Sequence, residues 1–289
     1  MHQSKQLLVT GVSSGFGRAL AREALAAGHH VVGTLRDADA ATAVEALSPG
    51  RAHARVLDVT EFEVIDLLVR GIEADLGPID VLVNNAGYGH EGLLEESPLA
   101  DMRRQFDVNV FGAVAMMKAV LPGMRVRRAG RILNITSMGG FITMPGIAYY
   151  CGSKFALEGI TEALGKEVRH LGIHVTAVAP GSFRTDWAGR SMVRTPRSIG
   201  DYDALFDPVR QRRQEASGNQ PGDPEKAAHA MLGVIESEAP PTHLVLGSDA
   251  LALIRQKLTS LEEELSRWEG LTRSTDGTAS LLANLPTDR

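Results

Sequence analysis

Short runs rich in Val, Leu and Ile recur along this 289-residue chain, with long helical patterns between them. The runs are QLLVT (6–10), HVVGTL (30–35), AHARVLDV (52–59), IDVLVN (79–84), RILNITS (131–137), IHVTAVAP (173–180) and HLVLG (243–247). Runs apolar on both faces suit parallel strands covered on both sides. Residues 15–27, 39–47, 61–76, 99–127, 148–170 and 224–238 fit helices between them. The alternation predicts an α/β fold: one doubly wound parallel sheet of about seven strands flanked by helices, with a C-terminal helical extension. No internal repeat or linker interrupts the chain, so 1–289 is expected to be a single domain. At 44% hydrophobic residues it can bury a large core.

Composition removes several classes of function. A net charge of -5 leaves no basic field for nucleic acid. The one cysteine, Cys151, excludes an internal disulfide and fits a reducing cytosol. No base accompanies it, so a packed thiol is the expectation rather than a nucleophile. The N-terminal MHQSKQLLVTG has no signal-peptide pattern, and no run reaches about 18 uninterrupted apolar residues. A cytoplasmic protein with no membrane span is expected.

The first strand leads into TGVSSGFG (10–17) and then a helix. Gly11, Gly15 and Gly17 permit backbone paths and close approach that a Cβ would block. A helix opening after such a turn offers free N–H groups and a positive dipole end to a pyrophosphate. Its place in the first βαβ unit is where a Rossmann-type sheet holds a dinucleotide, although the spacing differs from GxGxxG. The second strand ends Leu35, Arg36, Asp37. An acid at this point binds the 2′-hydroxyl of NAD, whereas an Arg suits a 2′-phosphate. Neutral Leu35 followed by Arg36 predicts NADP, with NAD as the alternative. Ser13 adds a hydroxyl for that phosphate, and Asp37 either pairs with Arg36 or points to solvent.

In AYYCGSKFA (148–156), Tyr150 and Lys154 are four residues apart. On a helix they share a face, while Tyr149 points about 100° away. The pair alone reads either as a surface contact or as a phenol made acidic by a neighbouring cation. A free phenol titrates near 10, and bringing it toward 7 requires about 4 kcal/mol. That is more than an exposed ion pair supplies, so Lys154 would have to act in a sheltered site.

These residues resemble the short-chain dehydrogenase/reductase family, in its compact branch. The resemblance rests on TGVSSGFG, LDV (57–59), NNAG (84–87), Asn109 in FDVNVFG, Ser137 in ITS, YCGSK (150–154) and PGSFRT (180–185), in the family's order over roughly residues 5–250. It implies hydride transfer between a nicotinamide cofactor and a carbonyl or secondary alcohol. Asn109, Ser137, Tyr150 and Lys154 would be catalytic. Gly11, Ser13, Ser14, Gly15, Phe16 and Gly17 would hold the phosphates, and Asp58 and Val59 the adenine. Asn85, Ala86 and Gly87 would line the cofactor. Pro180, Gly181, Phe183 and Thr185 would hold its nicotinamide end, and Tyr150 and Lys154 also touch it. Tyr150, rather than Tyr149, matches YxxxK. By the same resemblance Asn109 places a water that feeds protons through Lys154, and no metal is implied.

Substrate is less legible. Met138, Phe141, Met144, Ile147, Phe183, Trp187 and Met192 are expected to wall an apolar pocket, or else to be ordinary core. TLRD (34–37) and YCGSKFALEG (150–159) look like hydroxysteroid and retinol reductases of the family. A small-molecule substrate, a bulky apolar ketone or alcohol, is therefore expected. A 3-oxoacyl-thioester reductase is the second reading, and a non-catalytic NADP-binding redox sensor the third. Residues 184–222 break the βα rhythm, and a substrate lid is expected there. Its Arg184, Arg190, Arg194 and Arg197 either form a solvated face or recognise an acidic substrate group. After the last strand, Leu251, Ile254, Leu258, Leu261, Leu265 and Trp268 repeat by three and four. Packing of this stripe on the body is expected, with a subunit contact or pocket cover as the alternative. The segment from Arg273 onward is expected to fray. Helices 148–170 and 99–127 are expected to support a homodimer or homotetramer.

Overall fold

The computed structural model describes residues 4–277. In chain order its elements are β1 (Gln6–Thr10), α1 (Gly15–Ala26), β2 (His30–Leu35), α2 (Ala41–Glu45), β3 (Ala52–Val56), α3 (Phe62–Leu76), β4 (Val81–Asn84), β5 (Gly89–Glu91), α4 (Leu99–Phe106), α5 (Gly112–Arg127), β6 (Gly130–Ile135), α6 (Ala148–Val168), β7 (Ile173–Pro180), β8 (Met192–Arg194), α7 (Asp203–Glu215), α8 (Pro224–Glu236), β9 (His243–Leu246) and α9 (Ser248–Arg273). Seven strands form one sheet in the order β3-β2-β1-β4-β6-β7-β9. Every neighbouring pair in it is parallel.

The two-sided apolar runs explain the layering. Leu7 and Val9 face one side of β1, against α1 and α8; Leu8 faces the other, against α3 and α5. Strand side chains alternate, so a continuous apolar run supplies both cores at once. The strand order reverses between β1 and β4, which opens a crevice at their carboxyl ends. Two runs stop pairing as regular strands sooner than their apolar length implies, at Val56 and Ile135. The residues just beyond, Asp58, Val59, Thr136 and Ser137, form the rim of that crevice.

Three departures from the sequence reading have physical causes. The helix expected over 99–127 is continuous, but Asp107–Phe111 forms a π-type turn between α4 and α5. Such bulges inside α-helices concentrate at functional positions, and this one contains Asn109. By length and composition Leu99–Arg127 is apolar enough to cross a membrane, with mean hydropathy 1.2. Here its α5 face, Met116, Val120 and Met124, is fully buried on the sheet.

Residues 184–222 are ordered. They contain β8, which pairs in parallel with β5 in a separate two-stranded sheet, and α7. Phe206 of α7 is buried and seats on Gly146, where a Cβ would come within 1.9 Å of the ring. The third departure is α9. Only its Ala250 and Ile254 are buried, and every described residue from Arg255 onward is exposed. The stripe therefore does not pack back on the body. Residues 278–289, in the segment expected to fray, lie outside the described residues.

Candidate active site

At the β1–β4 crevice, Thr10 and Asn85 tie the two strand ends together. Thr10 Oγ1 accepts from the N–H groups of Asn85 and Ala86, each at 2.9 Å. Asn85 Nδ2 donates to the carbonyls of Thr10 and Gly11, each at 2.9 Å. Gly11 adopts φ +73, and a Cβ on Gly17 would lie 2.3 Å from the Gly11 carbonyl oxygen. The turn therefore has no room for side chains at Gly17 and little tolerance for one at Gly11. At the start of α1, Ser14 makes no side-chain cap, so the first N–H groups of the helix are left for another acceptor. Exposed Ser13, half-buried Ser14 and Phe16, and Gly15 surround this opening. Phe16 packs edge-on against Phe183 at 5.1 Å, and Thr185 lies beside Gly15. A cradle of this shape, ending on a helix N-terminus, fits a dinucleotide pyrophosphate.

Further along the crevice, Arg36 is exposed at the end of β2. Asp37 does not pair with it; its carboxylate accepts from the Asp39 N–H at 3.0 Å and caps the next turn. Asp58 is half-buried. Burial alone would raise its carboxyl, but the N–H and hydroxyl of Thr60, with Arg36 and Arg104, hold it below the ordinary value. Val59 is buried beside it, and Ala86 and exposed Gly87 continue the rim. On the far side, Pro180 ends β7. A Cβ on Gly181 would collide with Asp249, whose carboxylate accepts from the Ser182 N–H at 2.8 Å.

Ser137 caps the turn at Met138–Gly140, accepting from the Gly139 N–H at 3.0 Å, and hydrogen-bonds the Tyr150 hydroxyl. Tyr150 is only 7% exposed and lies against Trp187, ring centroids 4.9 Å apart. Lys154 Nζ sits 5.8 Å from the Tyr150 ring centre and donates to the Ile135 carbonyl at 2.8 Å. Asn109 Nδ2 donates to Ser153 Oγ and to the Tyr88 carbonyl, and its Oδ1 accepts from the Tyr88 N–H. The four expected catalytic residues thus converge. Tyr149 is directed away, as its helix angle predicts: its hydroxyl donates to the Ser97 carbonyl at 2.8 Å.

The electrostatics differ from the sequence expectation. Burial pushes the Tyr150 phenol above its ordinary value, and the Ser137 hydrogen bond offsets only part of this. Burial also pushes Lys154 down, to about 8, with Glu158 acting in the opposite sense. The ammonium lies over the ring and is bonded to a carbonyl, so the protein's own groups do not make this phenol acidic. Glu158 is one turn beyond Lys154. It accepts from Thr136 Oγ1 at 2.6 Å and pairs with His243 Nδ1 at 3.2 Å. Burial raises its carboxyl, against the pull of Thr136, His243 and Lys154.

The family of short chain dehydrogenases matches residues 5–193. This chain belongs to the short-chain dehydrogenase family. It is 41% identical to a short-chain dehydrogenase from Streptomyces avermitilis whose solved structure superposes with a TM-score of 0.89, covering 96% of this chain and 100% of that one. It is 34% identical over 269 residues to the 3-ketodihydrosphingosine reductase of Bacteroides thetaiotaomicron, covering 92% of this chain and 96% of the relative. The structure of ElxO with NADP bound is 26% identical, with a TM-score of 0.71 over 86% of this chain and all of that one.

In this short-chain dehydrogenase the apolar wall is narrower than the sequence implied. Met144, Ile147 and Trp187 pack with Tyr150 and Cys151. Met192 lies at Gly89 beside Trp187. Phe183 packs on Phe16 at the glycine-rich turn, and Phe141 turns away to an edge contact with His243 at 5.7 Å. Cys151 is a buried thiol pushed up by desolvation, as a packed cysteine should be.

The lid arginines divide: Arg194 and Arg197 go to buried carboxylates, whereas Arg184 and Arg190 lie on the solvated surface. Buried Glu91 on β5 takes Arg194, Arg210 and Arg213 at 3.1, 3.2 and 2.6 Å. Buried Glu96 takes Arg197 at 2.9 Å and the Ser198 and Ile199 N–H groups at 2.7 Å. Arg184 pairs with Asp223, and Arg190 with Asp186. Sequence reading missed Glu91, Glu96 and Asp249, because their partners lie far along the chain. Glu158 carried a signal: its four-residue spacing from Lys154 puts both on one helix face.

Proposed function

We propose that this enzyme is an NADP-dependent carbonyl reductase, transferring a hydride between NADP(H) and a carbonyl or secondary alcohol of a bulky apolar small molecule. The observation that carries the reading is the Tyr150 phenol, hydrogen-bonded to Ser137 and sheltered from water with Lys154 beneath it. When bound, NADPH supplies the hydride. Ser137 holds the substrate oxygen as negative charge develops there. Tyr150 gives that oxygen its proton, completing the alcohol, and is left as phenolate beside the Lys154 ammonium. A buried phenol kept above its ordinary pKa is fully protonated at neutral pH, which favours the reductive direction. Lys154 also binds the nicotinamide ribose. Asn109 steadies the proton path at the π-type turn. Arg36 and Ser13 receive the 2′-phosphate, and Asp58 and Val59 the adenine. Gly11, Ser14, Gly15, Phe16 and Gly17 hold the phosphates. Asn85, Ala86, Gly87, Pro180, Gly181, Phe183 and Thr185 hold the nicotinamide half.

The lid 184–222 closes over this site within the one domain, and Trp187 supplies the apolar cover above Tyr150. The lipid ketone named for the Bacteroides relative agrees with an apolar substrate. A 3-oxoacyl-thioester reductase draws less support, because Arg194 and Arg197 are consumed by Glu91 and Glu96 and Arg184 and Arg190 are paired with Asp223 and Asp186. Action in the cytoplasm belongs to the same reading. The test is NADPH oxidation screened over ketones, steroids, aldehydes and oxoacyl thioesters, with wild type, Tyr150→Phe and Tyr149→Phe. Turnover of an apolar ketone, lost at least about 1,000-fold in Tyr150→Phe with NADPH still bound, is expected. Binding of NADPH without turnover of any substrate would leave a redox sensor in its place.

A further inference from the structure

We propose that α9 pairs antiparallel with α9 of a second copy of this chain across a two-fold axis. From Arg255 to Arg273 the helix runs roughly 28 Å at 1.5 Å per residue with every side chain exposed. Helices in proteins owe most of their stability to packing of an apolar face, so a free helix of this kind calls for a partner. Six of its apolar residues fall in two heptad positions, with Leu253 and Leu271 outside them. Leu251, Leu258 and Leu265 occupy one; Ile254, Leu261 and Trp268 occupy the other. Leu258, Leu261, Leu265 and Trp268 are each 40–57% exposed, an uncovered ridge rather than scattered surface leucines.

The charges beside the ridge choose the partner and its direction. In an antiparallel pair the two heptad positions face each other. Leu258 meets the partner's Leu261 and Leu251 the partner's Trp268, while Ile254 stays buried on its own body. The flanking residues then oppose Arg255 to the partner's Glu262 and Lys257 to the partner's Glu264. The two-fold axis repeats each pair, so all four contacts are attractive. A parallel pair sets Lys257 against the partner's Glu262 but also sets Glu264 against the partner's Glu269, which is repulsive on both sides. A like-directed dimer is therefore selected against. The row Glu262, Glu263, Glu264 likewise disfavours an anionic membrane surface as the cover. An isologous contact of this kind closes on itself as a dimer unit. It brings the tip of each helix to the base of the other, next to Asp249 and the 180–185 loop it anchors.

Sedimentation velocity of the full chain tests this. Leu258→Glu/Leu265→Glu alters only exposed residues and is expected to halve the assembled mass with helix content retained by circular dichroism. Arg255→Glu is expected to weaken assembly about tenfold by turning two exposed pairs repulsive, and Arg255→Glu/Glu262→Arg to restore it. Under oxidation, copies carrying Leu251→Cys are expected to cross-link to copies carrying Trp268→Cys. Leu265→Cys is expected not to cross-link to itself, since the two sites lie roughly 16 Å apart along the axis. A monomeric wild type overturns the proposal, as does an unchanged mass in the leucine variant. Failure of the double charge reversal to rescue, or ready self-cross-linking at Leu265→Cys, overturns the antiparallel register. Dissociation of the leucine variant only when residues 278–289 are also removed would make the chain's own tail the occupant and overturns it too.

Discussion

Lys154 is the residue on which the site's pH behaviour turns. Its ammonium is buried and held at about 8, whereas an unfolded lysine keeps its proton to about 10.4. Between these values the unfolded chain binds a proton that the native chain has released. Stability contributed by this group therefore rises as pH climbs from 8 toward 10.4 and is flat below 8. Thermal unfolding of wild type and Lys154→Met, compared from pH 7 to pH 10, should show wild type gaining relative to the variant above pH 8. Parallel curves over that range would mean that Lys154 keeps its charge in the fold. Catalysis should move the other way: reduction should fall above pH 8, as the charge that stabilises the departing phenolate disappears. Tyr150 opposes this gain only close to pH 10, where the unfolded phenol ionises while burial keeps the native one protonated, and it does so in both proteins.

At the scale of elements, the proposed lid is held both by charge and by a seated aromatic ring. β8 and α7 reach the body through Glu91, a buried carboxylate that three guanidinium groups share, and through Phe206 on Gly146. Glu91→Gln leaves those arginines clustered without a counter-charge, at a cost of about 3 kcal/mol to lid closure. Tryptic cleavage between residues 190 and 213 should quicken markedly, with KM for substrate rising more than kcat falls. A lid equally protected in the variant would show that apolar seating suffices.

These elements also mark where sequence reading stops. The sheet strands and most helices were legible because a two-sided apolar run or a 3.6-residue stripe is local. The cradle and the Tyr150–Lys154 pair were legible because their spacing within one segment sets their geometry. Glu91, β5 and β8 were not, because a three-residue strand carries too little pattern and its partner is about a hundred residues away. The π-type turn at Asn109 was hidden for a related reason: its residues continue the helical pattern on both sides. The fate of Tyr150's acidity depended on burial, which no spacing of Tyr and Lys reveals.

For the molecule as a whole, the crevice is where segments distant in sequence meet. The β1 turn, the 84–87 segment, the 180–185 loop and residues 184–222 arise from distant parts of the chain. Asp249 fastens the base of α9 to the same loop. A dinucleotide spanning the crevice would contact all of them and none of them in the unfolded chain, so its binding free energy adds to stability. At a concentration 100 times Kd the gain is about 2.7 kcal/mol. For a chain of this size that raises Tm by roughly 5–10 °C. The proposed selection by Arg36 makes the shift selective. NADPH should raise Tm more than NADH at equal concentration, and Arg36→Glu should weaken NADPH about 10- to 100-fold by removing a charged hydrogen bond to the 2′-phosphate. The variant should then prefer NADH, since an acid at this point accepts from a free 2′-hydroxyl. Gly17→Ala should abolish both shifts, because its methyl group collides with the Gly11 carbonyl at the floor of the cradle. Equal shifts from the two cofactors in wild type would remove Arg36 from cofactor choice. A full shift in Gly17→Ala would move the dinucleotide out of this crevice altogether.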